Sequence, residues 1–228
     1  MIAAITDLKN HFPETNRIDK ELINGLPVLH FPGEIRVINT TEGAVAAVEQ
    51  LLGEPAVGFD TESRPSFKKG VAYPISVVQV STRREAFIFQ IGPMGFLEPL
   101  LALMADPHIL KVGVGLKSDI PKIKELAEIQ PAGFVDLSQI AESKGIVQVG
   151  ARALVARYMG KRLSKAARIT NWASEELTRK QLLYAAADAW ICLEIYPELL
   201  RDLTDYRSLA RQEEEQPAPS SHTQEIPN

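Results

Sequence analysis

A single cysteine, Cys192, stands in a chain of 228 residues, so no disulfide can form within the chain. It lies among Trp190, Ile191 and Leu193, where a buried, inert thiol is the expected state. The four histidines, His11, His30, His108 and His222, show no zinc-ligand spacing, and no zinc site is assigned. No apolar run approaches the ~20 residues a bilayer-crossing helix needs. The start, Met1 to Asp7, has neither a basic leader nor an apolar segment long enough for a signal peptide, so a cytoplasmic protein with no membrane partner is expected. Gly113 and Gly115 lack the third glycine of a dinucleotide fingerprint, and no Lys-Ser pair of a phosphate loop follows them.

Excess positive charge is missing too. The net charge is -4, from 25 Lys and Arg against 29 Asp and Glu. Four of those acids, Glu213, Glu214, Glu215 and Glu225, fall in the tail after Arg211, which has no base; without them 25 acids face 25 bases. The neutral body neither requires nor excludes a nucleic-acid partner. With 45% hydrophobic and 24% charged residues the chain reads as globular, long enough for one well-filled core.

Three parts follow from the pattern. Residues 1–34, interrupted by Pro13, Pro27 and Pro32, read as an N-terminal arm packing on the domain. Residues 35–211 alternate strand and helix signals. Residues 212–228, rich in Glu, Pro and Ser, cannot bury enough apolar surface to fold and are expected to be disordered. Within the middle part, Glu34 to Asn39, Ile75 to Val80, Ala86 to Ile91 and Ile109 to Val114 read as strands. Helices are expected from Thr40 or Thr41 to Leu52, Phe96 to Met104, Ile120 to Ile129, Asp136 to Gly145 and Gly150 to Met159. Thr178 and Gln181 have capping-box spacing and start a helix that Pro197 should end or kink. Strands first, then strands alternating with helices, give an α/β domain with a mixed sheet.

The apolar run Val57-Gly58-Phe59 ends in Asp60-Thr61-Glu62. On an extended strand the i, i+2 acids share one face while Val57, Phe59 and Thr61 take the other. Carboxylates held that close repel and raise one another's pKa, which a divalent cation would relieve. Tyr184 and Asp188, i and i+4 in an alanine-rich helix, share a face and offer a third acid with a phenol beside it. Asp119, after the strand ending Val112-Gly113-Val114-Gly115, is a fourth.

Two basic stretches flank these acids. Ser63 to Gly70 carries Arg64, Lys68 and Lys69, and reads either as a contact to substrate phosphates or as a solvated loop. Lys161 to Trp172, with Lys165 and Arg168, reads either as a phosphate-contacting and base-stacking segment or as a connection whose tryptophan belongs to the core; for Trp172 the core is preferred.

Together, Asp60-x-Glu62, Asp119 and Tyr184-x-x-x-Asp188 resemble the three motifs of the DEDD superfamily of 3'-5' exonucleases. The tyrosine four residues before the last aspartate marks the DEDDy branch; the sister branch carries histidine five residues before it, where this chain has Leu183. Gly150 to Tyr158, Gly160-Lys161, Asn171-Trp172 and Leu177-Thr178 are similar to the Werner-syndrome and ribonuclease D type, over roughly residues 35–202. The resemblance implies a ribonuclease H-like fold, a mixed five- or six-stranded sheet flanked by helices. It also implies hydrolysis of DNA or RNA phosphodiesters from the 3' end with two Mg2+ or Mn2+ ions, typically ~3.5 to 4 Å apart. By the same resemblance Asp60 bridges both ions, Glu62 and Asp188 support the ion holding the attacking water, Asp119 supports the other, and Tyr184 orients the water. A binding module of this fold with little catalysis, or a metal-dependent phosphohydrolase of small molecules, would share the acids. Cleavage of a polymer separates them.

Overall fold

The structure, a computed structural model, describes residues 17–91, 98–126, 129–164 and 167–214, with side chains through Glu125 in the second span and Arg201 in the last. Strands β1 (Glu34–Ile38), β2 (Ala56–Ser63), β3 (Ile75–Ser81), β4 (Glu85–Gln90), β5 (Leu110–Gly113) and β6 (Phe134–Asp136) form one sheet in the order β1-β4-β3-β2-β5-β6. β2, β3 and β4 are antiparallel neighbours. β1 joins β4, and β5 and β6 extend from β2, all in parallel. The mixed, six-stranded sheet agrees with the expected architecture.

Helices α1 (Lys20–Gly25), α2 (Thr41–Leu51), α3 (Glu98–Ala105), α4 (Asp119–Leu126), α5 (Leu137–Ser143), α6 (Ala151–Met159) and α7 (Arg179–Glu214) complete the described chain. Their starts follow local chemistry. Thr40 accepts from the Gly43 amide at 3.1 Å and Asp136 from the Ser138 amide at 2.9 Å, and Thr178 and Gln181 bond reciprocally at 3.0 and 3.3 Å, each pair satisfying amides that a helix leaves open. Gly160, at φ 60°, closes α6 in the left-handed conformation. Residues 96–97 of the helix expected around α3 and residues 127–128 of the one expected around α4 lie outside the described residues, and Ile129, the expected end of α4, is not helical.

Alternation sorts β2 between two cores. Val57 and Phe59 pack with Val78, Val80, Phe87 and Phe89 against α2 and α3, whereas Val77, Ile88 and Val112 meet the apolar stripe of α7. Trp172 is buried with this second group, as preferred from the sequence. Among the described residues no helix is long and apolar enough to cross a membrane.

At Pro197 the expectation is an end or a kink. Pro197 does not end its helix: α7 continues to Glu214. Proline withholds the amide that would bond the carbonyl four residues earlier, and that carbonyl, on Leu193, accepts instead from the Arg83 guanidinium at 3.4 Å. The same continuity carries helix three residues into the stretch expected to be disordered; residues 215–228 lie outside the described residues. A bridge joins Val28 and Arg162, with Leu29 donating to the Arg162 carbonyl at 2.8 Å and Arg162 to that of Pro27 at 3.0 Å.

Candidate active site

The site sits where β2 meets α7, and a glycine decides how closely they meet. A Cβ on Gly58 would lie 2.0 Å from the Ala189 carbonyl oxygen, nearer than any real Cβ approaches backbone. With hydrogen there and the small Ala189 opposite, the helix lies directly on the strand. Asp188, the residue before Ala189, is thereby set beside the carboxylates two and four positions beyond Gly58. One oxygen each from Asp60, Glu62 and Asp188 lies within 4.8 Å of the others.

Burial makes this crowding expensive. It is the first cause raising all three carboxyls, followed for Asp60 by the charges of Asp188, Glu62 and Asp119, which hold it well above the usual carboxylate range. Glu62 is pushed up to about 8 by burial and then by Asp188 and Asp119, against the lowering pull of Arg168 and Lys122. Asp188 is pushed up to about 7 by burial, partly relieved by its hydrogen bond with Tyr184. One of its oxygens, Oδ1, is buried and has no partner. Such a set, acidic, oxygen-only and carrying an orphaned acceptor, fits a hard divalent cation.

Asp119 stands at the edge of this group. Its Oδ1 accepts from Thr61 Oγ1 at 2.7 Å, and its charge reaches both Asp60 and Glu62. Its place depends on the turn before α4: Gly115 takes φ 76° and donates to Asp136 Oδ1 at 2.8 Å. Gly113 serves backbone packing, since a Cβ there would meet the Phe59 carbonyl at 2.7 Å. Tyr184 packs on Trp172 with ring centroids 6.0 Å apart. Burial first, then Asp188, pushes its phenol far above the ordinary tyrosine value, so it remains a proton donor at any physiological pH.

The basic candidates divide. Arg168 acts on Glu62. Arg64 lies over the Tyr73 ring at 5.0 Å; Lys68 and Lys69 are exposed in the loop after β2. None of those three is among the charges that shift Asp60 or Glu62. Lys165 lies outside the described residues.

Four neighbours of the acids escaped the sequence reading. Lys122 could have been found from its i, i+3 spacing to Asp119 on α4. Thr61 looked like a residue of the opposite face, yet it is the tether of Asp119. Gln79, fully buried with both amide atoms unpartnered, pairs in register with Asp60, and Ser81, its Oγ also unpartnered, pairs with Gly58. Their signal was two polar residues at i, i+2 in an otherwise apolar strand.

A 3'-5' exonuclease family model matches residues 35–204. The mouse bifunctional 3'-5' exonuclease/ATP-dependent helicase WRN is 32% identical over 208 residues, which cover 86% of this chain and 15% of that protein. Ribonuclease D of Gluconacetobacter diazotrophicus is 32% identical over 176 residues, covering 76% of this chain and 44% of the relative. The chain therefore spans under half the length of either relative. The structure of Trypanosoma brucei RNase D in complex with RNA U12 is similar in fold, with a TM-score of 0.66 at 21% identity over 78% of this chain and 64% of that one. With the fold ribonuclease H-like, the acids clustered and most of its length matched, the chain belongs to the 3'-5' exonuclease family.

Proposed function

We propose that the protein is a divalent-metal-dependent 3'-5' exonuclease, removing nucleotides singly from the 3' end of a nucleic-acid strand. The observation that carries this reading is the meeting of Asp60, Glu62 and Asp188 within 4.8 Å. Those three residues would hold Mg2+ or Mn2+, as two ions, because hard cations select carboxylate oxygen and the group contains no sulfur or nitrogen donor. Asp119, held by Thr61, would serve the same ions from the edge of the group. When bound, the ions lower the pKa of the attacking water and offset the charge of the phosphate.

The chain's own groups supply position. Tyr184 keeps its proton and so donates a hydrogen bond; it orients the water and does not remove its proton. Arg168, which already acts on Glu62, adds positive charge for the scissile phosphate. Trp172 holds the Tyr184 ring from behind. Gly58 keeps α7 close enough for Asp188 to join the two acids of β2.

Digestion of 5'-labelled single-stranded and duplex DNA and RNA, in Mg2+, Mn2+ and EDTA, tests the reading. A ladder shortening from the 3' end, abolished by EDTA and by a blocked 3' terminus, is expected with at least one polymer. Rapid cutting of closed circular strands would mark an endonuclease instead. Release of phosphate from mononucleotides with no attack on polymers would mark a small-molecule phosphohydrolase.

A further inference from the structure

The family match begins at residue 35, yet the wall of the acidic cleft includes residues before it. A cavity of about 530 Å³ runs from Tyr184 and Asp188 past Arg168 and Arg152, and Ile18, Lys20 and Ile23 of the arm line it as well. A second, of about 130 Å³, shares Tyr184 and Asp188 and lies between residues 28–31 of the arm and Leu183 and Ala187 of α7. The two therefore flank the same pair of residues. Their linings differ: Lys20, Arg152 and Arg168 give the first its positive charge, while Leu29, Phe31, Leu183 and Ala187 make the second mostly apolar, with Lys180 and Asp188 also lining it. Leu183 remains 39% exposed there, an apolar side chain left open beside the acids.

The arm is fastened where this arrangement needs it. Ile18 donates to Gln148 Oε1 at 2.6 Å and accepts from Gln148 Nε2 at 3.1 Å. Arg152 donates to Asn24 Oδ1 at 2.5 Å and Arg162 Nε to the Leu26 carbonyl at 2.9 Å. These bonds fix α1 over the first cavity and the following segment beside the second.

A single strand carries the matching chemistry. Its 3'-terminal nucleotide has no phosphate beyond it, so every phosphate other than the scissile one lies on the 5' side, where a basic wall can hold it. A closed, dry cavity of about 150 Å³ holds one benzene ring, so a slot of about 130 Å³ that opens at the exposed Leu183 has room for part of a single base and none for a base pair. We propose that residues 18–31 form the second wall of the substrate groove: Lys20, beside Arg152, contacts a phosphate on the 5' side of the scissile bond, and the slot between Leu29 and Leu183 takes one unpaired base. This rests on the exonuclease reading above.

Steady-state digestion of a 5'-labelled single-stranded oligonucleotide of mixed sequence, across a salt series, compares the wild-type protein with Lys20→Ala and Leu183→Ala. Both positions are exposed, so thermal midpoints should stay at the wild-type value. Lys20→Ala should raise KM with kcat unchanged and flatten the plot of log KM against log salt by about 0.7, one phosphate contact on a single strand. Leu183→Ala should raise KM by roughly 5-fold with the salt slope retained. Wild-type KM and wild-type slope in both variants, in a preparation whose wild-type protein digests the strand, would overturn the proposal and leave the exonuclease reading intact. A wild-type protein that digests no strand in either metal would overturn both.

Discussion

Phe59 and Asp60 are joined by one peptide bond and lie on opposite faces of β2. Toward α2 and α3, Phe59 is fully buried, meets Phe134 edge-on with ring centroids 5.1 Å apart, and is surrounded by apolar side chains. Toward α7, Asp60 crowds Glu62 and Asp188, with the unpartnered amide of Gln79 opposite it in the sheet. The first face holds the sheet together. The second keeps like charges crowded together beside polar atoms that lack a protein partner, a crowding that a cation would relieve, and the first face stabilises the fold enough to tolerate it.

Substitutions on the two faces should therefore fail in opposite ways. Asp60→Ala should abolish strand digestion, the largest effect expected, while leaving the metal-free protein as stable as wild type or more so, because it removes repulsion. Turnover and the thermal midpoint in EDTA measure both halves. Phe59→Ala should reverse the pattern, losing about 3 to 5 kcal/mol of stability in urea unfolding with the carboxylates untouched. A Phe59→Ala protein as stable as wild type would break the distinction.

Smaller changes sharpen it. Tyr184→Phe keeps the ring and all four acids but removes the donor, and should cost about 2.7 to 4 kcal/mol, roughly 10²- to 10³-fold in single-turnover rate at saturating Mn2+. A phenylalanine variant as fast as wild type would remove the hydroxyl from the reaction. Gly58→Ala, which drives a methyl group into the Ala189 carbonyl, should cost about 1 to 3 kcal/mol of stability and slow cleavage as Asp188 withdraws. Slowed cleavage with full stability would mean that α7 shifts without strain.

The acids were legible in the sequence because their spacing is local: i, i+2 on a strand and i, i+4 on a helix each need one element's periodicity. Capping residues Thr40, Asp136, Thr178 and Gln181 were legible for the same reason. What joins the elements was not. Gly58 reads as an ordinary strand glycine until the Ala189 carbonyl is known to face it. Thr61 belongs to the other face by alternation, yet bonds Asp119 from beyond the end of β5. Lys111 sits unseen in an apolar strand, fully buried, its ammonium held by the Asp106 carbonyl at 2.5 Å. Pro197 obeyed its local chemistry, but Arg83 from the β3–β4 turn answered the carbonyl it freed. Each depends on a partner far along the chain.

The central claim, that the α7 face is built around cations, makes stability depend on pH in a direction ordinary carboxylates do not give. Glu62 is raised from an ordinary 4.5 to about 8 and Asp188 from 3.8 to about 7. Between the unfolded and folded values the native state binds more protons than the unfolded state, so stability falls as pH rises. The contribution is complete below about pH 4 and lost through pH 7 to 8. Lys111, lowered by burial to about 8, adds the opposite slope only above that window. The direct measurement is the thermal midpoint of the wild-type protein from pH 5 to pH 8, in EDTA and in excess Mn2+. The account predicts a midpoint that declines toward pH 8 in EDTA and recovers there with Mn2+, and that Asp60→Ala flattens both responses. A midpoint that rises with pH in EDTA, and that Mn2+ leaves unmoved at pH 8, would contradict it.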